Sequence, residues 1–189
     1  MQGMLHMKML FANRPHARVK WVKTGKAESA PGVVAVYTSA DVPLNEYGLQ
    51  WQDQPVLCGP AAPGKEMKPG SDIVRFVGDQ VAAVVAHTEA EAAAAVKLIE
   101  VGYEDLPVVT DPVEAMKSEA PRVHEHIGDS NICVHYKIRK GNVEEGFARA
   151  DVIVESEYHT PVQEHAYLQP EAGLAYMDDD GRITIACGG

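Results

Sequence analysis

A chain of 189 residues has room for one or two domains and a real core, and 46% apolar with 23% charged residues excludes general disorder. A formal net charge of -10 excludes a nucleic-acid surface, which needs a basic stripe. No apolar run approaches the roughly 18 residues of a membrane helix, and the first ten residues lack the basic and continuous apolar regions of a signal peptide. Cys58, Cys133 and Cys187 are odd in number and scattered, so they form neither a disulfide framework nor a zinc motif. Each reads as a small packed hydrophobe, and a reducing cytoplasm is expected.

In chain order, Leu5, Met7 and Met9 alternate with His6 and Lys8 and predict a strand. Val33–Tyr37 follows the turn dipeptide Pro31-Gly32 and predicts a short buried strand. Thr38–Pro43 predicts a capped turn of helix stopped by the proline. Residues 45–72 are rich in Gly, Pro, Gln and Asp, a long irregular segment of the functional or mobile kind. Ile73–Val77 predicts a strand, with Gly78-Asp79 as its turn. The continuous apolar run Val81–Ala86 suits a central strand covered on both faces. Thr88 with Glu91 forms a capping box that opens an alanine-rich helix, Glu89–Ile99. A strand at Glu100–Tyr103 follows, and Leu106–Val109 closes the unit. The order is that of an α+β fold. Asp111-Pro112 opens a short helix to Glu119. The polar residues 118–131 are read as connection, and the linker as a whole spans 112–131. Strands at Ile132–Ile138 and Val152–Tyr158 bracket a helix at Val143–Arg149 with Asn142 as its cap. The turn Asp178–Gly181 between Gly173–Met177 and Arg182–Cys187 predicts a hairpin. A lone hairpin is marginal in water, so the chain is expected to end inside a domain, as a fragment.

Candidate chemistry is sparse. His124 and His126, with His135 further on, invite a metal reading, because alternate residues of a strand share a face. The Pro- and Gly-containing surroundings and the missing third ligand favour exposed linker histidines, with Glu125 pointing away. His159 and His165 flank Glu164; a histidine beside a carboxylate could be a general base, but a packed, backbone-bonded residue is the simpler reading. Gly141 does not make a phosphate loop. No Ser, His and Asp form a nucleophile elbow. Asp178–Asp180 lacks the closing Glu of a calcium loop and reads as a solvated turn. No catalytic, cofactor-binding or metal residue is assigned in this chain.

Five segments carry a resemblance when taken together: Arg14–Val19, Ala30–Thr38, Val74–Ala86, Val101–Val109, and Gln163–Ala172 with Asp178–Cys187. In this order they resemble the large, molybdenum-binding subunit of the xanthine dehydrogenase and aldehyde oxidase family, over nearly the whole chain. The resemblance implies an α/β-hammerhead domain over residues 1–111, a linker over 112–131, and the incomplete start of a molybdopterin-binding domain over 132–189. The parent would hydroxylate a purine, an N-heterocycle or an aldehyde with oxygen from water at a molybdenum–molybdopterin centre. Its electrons would pass through iron–sulfur clusters to flavin or another acceptor, carried by the rest of the molybdenum subunit and by partner subunits or domains.

For this chain the resemblance implies no cofactor of its own. Three scattered cysteines cannot bind iron–sulfur clusters. The family's glutamine near the metal follows the position of Cys187-Gly188-Gly189, and its base glutamate comes much later. The chain departs from the family at Gln169-Pro170-Glu171, where Glu usually precedes Pro. A fragment inactive by itself is expected, associating with copies of itself through exposed strands. Two alternatives remain at this point: a stand-alone binding or scaffolding protein of hammerhead fold, and a small metal-binding protein using His124, His126 and His135.

Overall fold

The computed structural model describes residues 3–49, 51–168 and 172–188. The chain divides into two units, Met1–Tyr136 and Lys137–Gly189. The first is built from two three-stranded antiparallel sheets. In one, β5 (Gln80–Ala86) lies between β1 (His6–Phe11) and β3 (Val33–Thr38). Its register runs Met7↔Val85 on one side and Val36↔Val84 on the other. In the second sheet, β2 (Ala17–Lys23) lies between β4 (Ile73–Val74) and β6 (Glu100–Asp105).

The apolar run of β5 gives a doubly covered strand because its successive side chains enter different cores. Val81 joins Ala12, Ala17, Val19, Cys58 and Val74. Ala82 and Val84 join Ala27, Ala95 and Ile99. Ala27 lies on the short helix α1 (Gly25–Glu28). Ala95 lies on α2 (Glu89–Val96), which packs against β1 and β5. Its small side chains let the helix sit close, burying Ala92 and Ala95. The Thr88 hydroxyl accepts from the Glu91 N–H at 3.2 Å and donates to the Glu91 carboxylate at 2.8 Å. That is the N-cap half of the predicted box. Both halves form at the 3-10 turn Ser39–Asp41, where Thr38 caps and Asp41 answers its backbone N–H.

The strand expected over Ile73–Val77 stops at Val74. The N–H groups of Arg75 and Phe76 donate to Asp79 Oδ2, at 2.5 and 3.3 Å, and this turn replaces ladder pairing. Strand β2 went unpredicted, although Ala17, Val19 and Trp21 alternate with Arg18 and Lys20. The irregular 45–72 segment is tied down at several points. Asn45 exchanges two hydrogen bonds with the Leu57 backbone, at 2.8 and 3.0 Å. Cys58 is buried, with its N–H donating to Gln80 O at 2.6 Å.

Helix α3 (Pro112–Ala115) starts as expected, with Asp111 accepting from the N–H groups of Val113 and Glu114, but it ends before Glu119. In the second unit α4 (Val143–Ala148) carries the predicted Asn142 cap. The hairpin β7 (Gly173–Met177) and β8 (Ile183–Cys187) forms in the register Ala175↔Ile185. The segments 132–138 and 152–158 are not strands. Their apolar residues are strand-like in spacing, but among the described residues no neighbouring strand hydrogen-bonds to them, and a strand exists only by pairing. No described residue of the second unit is buried. Among the described residues, no helix is long and apolar enough to cross a membrane. The expectation at Gln169-Pro170-Glu171 lies outside the described residues.

Candidate functional site

The richest polar cluster of the first unit surrounds Arg75. Because the Asp79 turn ends β4, the Arg75 guanidinium is free to bind backbone from separate segments. Nε donates to Val123 O at 3.0 Å, and Nη1 reaches Gly70 O and Ile73 O, each at 3.3 Å. Burial pulls its pKa down, yet a guanidinium stays charged at any working pH. Gly70, at φ +77°, lets this approach occur, since a Cβ there would overlap His126 and crowd Arg75 Nη2.

Around it, Asp72 is almost fully buried and pairs with Arg18 Nη1 at 2.6 Å; its other oxygen is buried without a hydrogen-bond partner. His16 Nδ1 lies 2.6 Å from Pro107 O. A carbonyl only accepts, so Nδ1 carries the proton. His16, Arg18, Gly70, Arg75, Leu106 and His126 line a cavity of about 300 Å³.

The connecting segment is held by its own side chains. Asn131 Oδ1 accepts from Val123 N–H at 2.9 Å, and Asn131 Nδ2 donates to Pro121 O and Ala115 O at 2.9 and 3.0 Å. His124 Nε2 lies 3.3 Å from Asp53 Oδ2, while Nδ1 is buried with no partner. Burial lowers the His124 pKa, with Arg75 acting the same way and Asp53 opposing. Burial and then Arg75 and Lys68 lower that of His126. The two rings meet edge to face at 6.0 Å. A cleft of about 670 Å³ opens beside them, lined by Trp51, Asp53, Val109, Asp111, His124 and Cys133 among others.

The expected exposed linker histidines are therefore half right. His126 is exposed, but His124 is half-buried against the 45–72 segment, a contact that no local pattern announces. His135 is exposed, and among the described residues no three His, Cys, Asp or Glu side chains could hold a metal. His159 pairs with Glu157 at 2.9 Å on the surface. His165 stacks on Tyr167 with centroids 5.5 Å apart, while the neighbouring Glu164 carboxylate accepts from Ala166 N–H. No acid–base pair forms at His165 among the described residues, and its packing partner is an exposed ring rather than backbone. Asp178 accepts from the N–H groups of Asp180 and Arg182 and from the Thr184 hydroxyl. These bonds hold its pKa below the ordinary carboxylate value and make it a turn-former. Arg75 escaped sequence reasoning because a single arginine in an apolar strand gives no spacing signal.

The domain family described as aldehyde oxidase and xanthine dehydrogenase, a/b hammerhead domain, matches residues 1–107. The chain belongs to this family. A second match, to the molybdopterin cofactor-binding domain, covers residues 123–188. The fold is accordingly an α/β-hammerhead followed by the start of a molybdopterin-binding domain. The chain is 43% identical over 187 residues to a probable xanthine dehydrogenase subunit of Bacillus subtilis (strain 168), covering 98% of this chain and 23% of that protein. It is 30% identical over 183 residues to the nicotinate dehydrogenase large molybdopterin subunit of Eubacterium barkeri, covering 96% of this chain and 40% of that one. Among solved structures, aldehyde oxidoreductase from Desulfovibrio gigas superposes with TM-score 0.78 at 29% identity, over 98% of this chain and 20% of its own. CO dehydrogenase from Oligotropha carboxidovorans gives 0.80 at 31%, over 99% and 24%. The chain thus spans between a fifth and two-fifths of the length of these relatives.

Proposed function

We propose that the chain is the hammerhead and opening pterin-domain portion of the large subunit of a molybdenum hydroxylase. The observation that carries this reading is the matching of two domain families in order, 1–107 and 123–188, within relatives about four times as long. Residues 1–111 are assigned to the hammerhead, 112–131 to the connection, and 132–189 to the start of the cofactor domain. The whole protein hydroxylates a purine, an N-heterocycle or an aldehyde. A molybdenum–molybdopterin group, when bound, supplies that chemistry with oxygen from water.

The residues of this chain do not fit as the holder of that group. No described residue beyond 136 is buried, so the described part of that stretch encloses no pocket for it. The group's pocket is therefore assigned to the rest of the subunit, and this chain's part is to frame it. The fragment alone is inactive. In the whole protein, partner subunits or domains carry iron–sulfur clusters and flavin, and the assembly is cytoplasmic. The isolated chain self-associates through the exposed strands of its second unit, whose apolar residues Ile183 and Ile185 stand 75% and 69% exposed.

The test is to isolate the native polypeptide that carries these peptides from its source. The expected result is a large subunit about four times this length, with stoichiometric molybdenum and incorporation of labelled water oxygen into an aldehyde or purine. A native product of 20.5 kDa without molybdenum would overturn the reading in favour of a stand-alone binding protein.

A further inference from the structure

We infer that residues 121–131 form an acid-releasable strap across the hammerhead unit, with His124 as its trigger. Three contacts fasten the strap. Arg75 holds the Val123 carbonyl, Asn131 clasps both ends of the segment, and His124 meets Asp53 of the long irregular segment. The first two use groups that do not titrate between neutral and mildly acid pH. The third does.

With His124 neutral, Nε2–H donates to the Asp53 carboxylate and Nδ1 is left as a bare acceptor, buried and without a partner. That arrangement is tolerable, because an unpaired acceptor costs less than an unpaired charge. Protonation places a second N–H on Nδ1, where no acceptor lies, and adds a positive charge facing Arg75. The groups facing His124 are Asp53 from the irregular segment, Arg75 from the turn after β4, His16 ahead of β2, and His126 on the strap itself. Asp111 and Asp129 stand further along the cleft wall. Only Asp53 among the facing groups favours the cation, and burial with Arg75 outweighs it, so the ring holds its proton less tightly than the ordinary 6.5. A released strap returns the ring to water and to its ordinary affinity. The released form therefore binds more protons, and release grows as pH falls through about 6.5.

The experiment is hydrogen exchange read by mass spectrometry on the 189-residue chain between about pH 7.5 and pH 5.5, each rate divided by its intrinsic value. Peptides covering 121–132 are expected to lose protection on acidification, while the β5 peptide 80–87 keeps its own. H124Q retains a donor toward Asp53 and removes the more buried of the strap's two titrating rings, so its strap is expected to keep most of its protection at the acid end, the small remaining loss being that of His126. D53N removes the one facing group that favours the cation in the fastened state, so acidification is expected to release its strap more completely, with the onset still near pH 6.5. Should a variant fail to fold, the His124 ring proton signals of the unaltered chain serve instead. Their titration is expected to sit below 6.5 and to coincide with strap release. Strap protection that is unchanged with pH, or an H124Q strap that loosens just as the unaltered one does, would overturn the inference.

Discussion

Trp21 shows how one missing atom sets a local arrangement. The indole lies over Gly102 on the paired strand β6, where an added Cβ would overlap the ring. Lys23 sits above the same ring, 4.6 Å from its centroid. G102A is expected to destabilise the chain by about 1–3 kcal/mol, and the penalty should shrink in a W21A background; chemical denaturation of the four variants reads the coupling. The thiols offer a second residue-scale expectation. Burial is the main reason that the Cys58 thiol is pushed up to about 12, with Asp79 adding to it, whereas Cys133 and Cys187 are exposed. At neutral pH an alkylating reagent should label two thiols quickly and the third only after unfolding. Three rapid labels would place Cys58 outside the core. The sequence identified Cys58 as a packed hydrophobe, since an isolated cysteine between apolar residues has little else to do. It could not identify Cys133 and Cys187 as exposed, because exposure there depends on which segments fold over them. The same limit applied to His124, whose partner Asp53 lies 71 positions away in the chain.

Among the elements, those with their own local code were legible. β5 announces itself by six consecutive apolar residues, α2 by its cap and alanines, and the closing hairpin by its Asp-Gly turn. Thr88 is the single residue on which the α2 start rests. T88A is expected to cost about 1 kcal/mol in thermal or denaturant unfolding, with faster exchange in the first turn of α2. T88S should restore most of the loss, because it keeps the accepting oxygen. Elements defined by partners were less legible. Ile132–Ile138 and Val152–Tyr158 have strand-like spacing, yet pairing is supplied by other strands and not by the segment itself. β4 failed in the other direction, since a side chain three or more residues on captures its backbone donors. β2 was readable and overlooked: its basic residues hide an alternation that buries Ala17 and Val19.

For the molecule as a whole, burial is concentrated in one unit. Among the described residues, every buried one falls within Met1–Tyr136, so global unfolding should report on that unit alone. V84A removes a fully buried side chain between β1 and β3 and is expected to cost about 2–3 kcal/mol. The same change at Val154, which is 82% exposed, should cost less than about 0.5 kcal/mol. Equal losses at the two sites would mean that the second unit carries a core of its own. The strand order has a further consequence for how such a chain is made. β1, β2 and β3 are complete by Thr38, yet none of them pairs with another of the three. Their partners β4, β5 and β6 begin only at Ile73. During vectorial synthesis at about 5–20 residues per second, the stretch from Thr38 to Ala86 takes roughly 2–10 s. Throughout that interval three strand-forming segments wait with their backbone unpaired, clients for any chaperone that shields such backbone, until β5 arrives to join two of them at once.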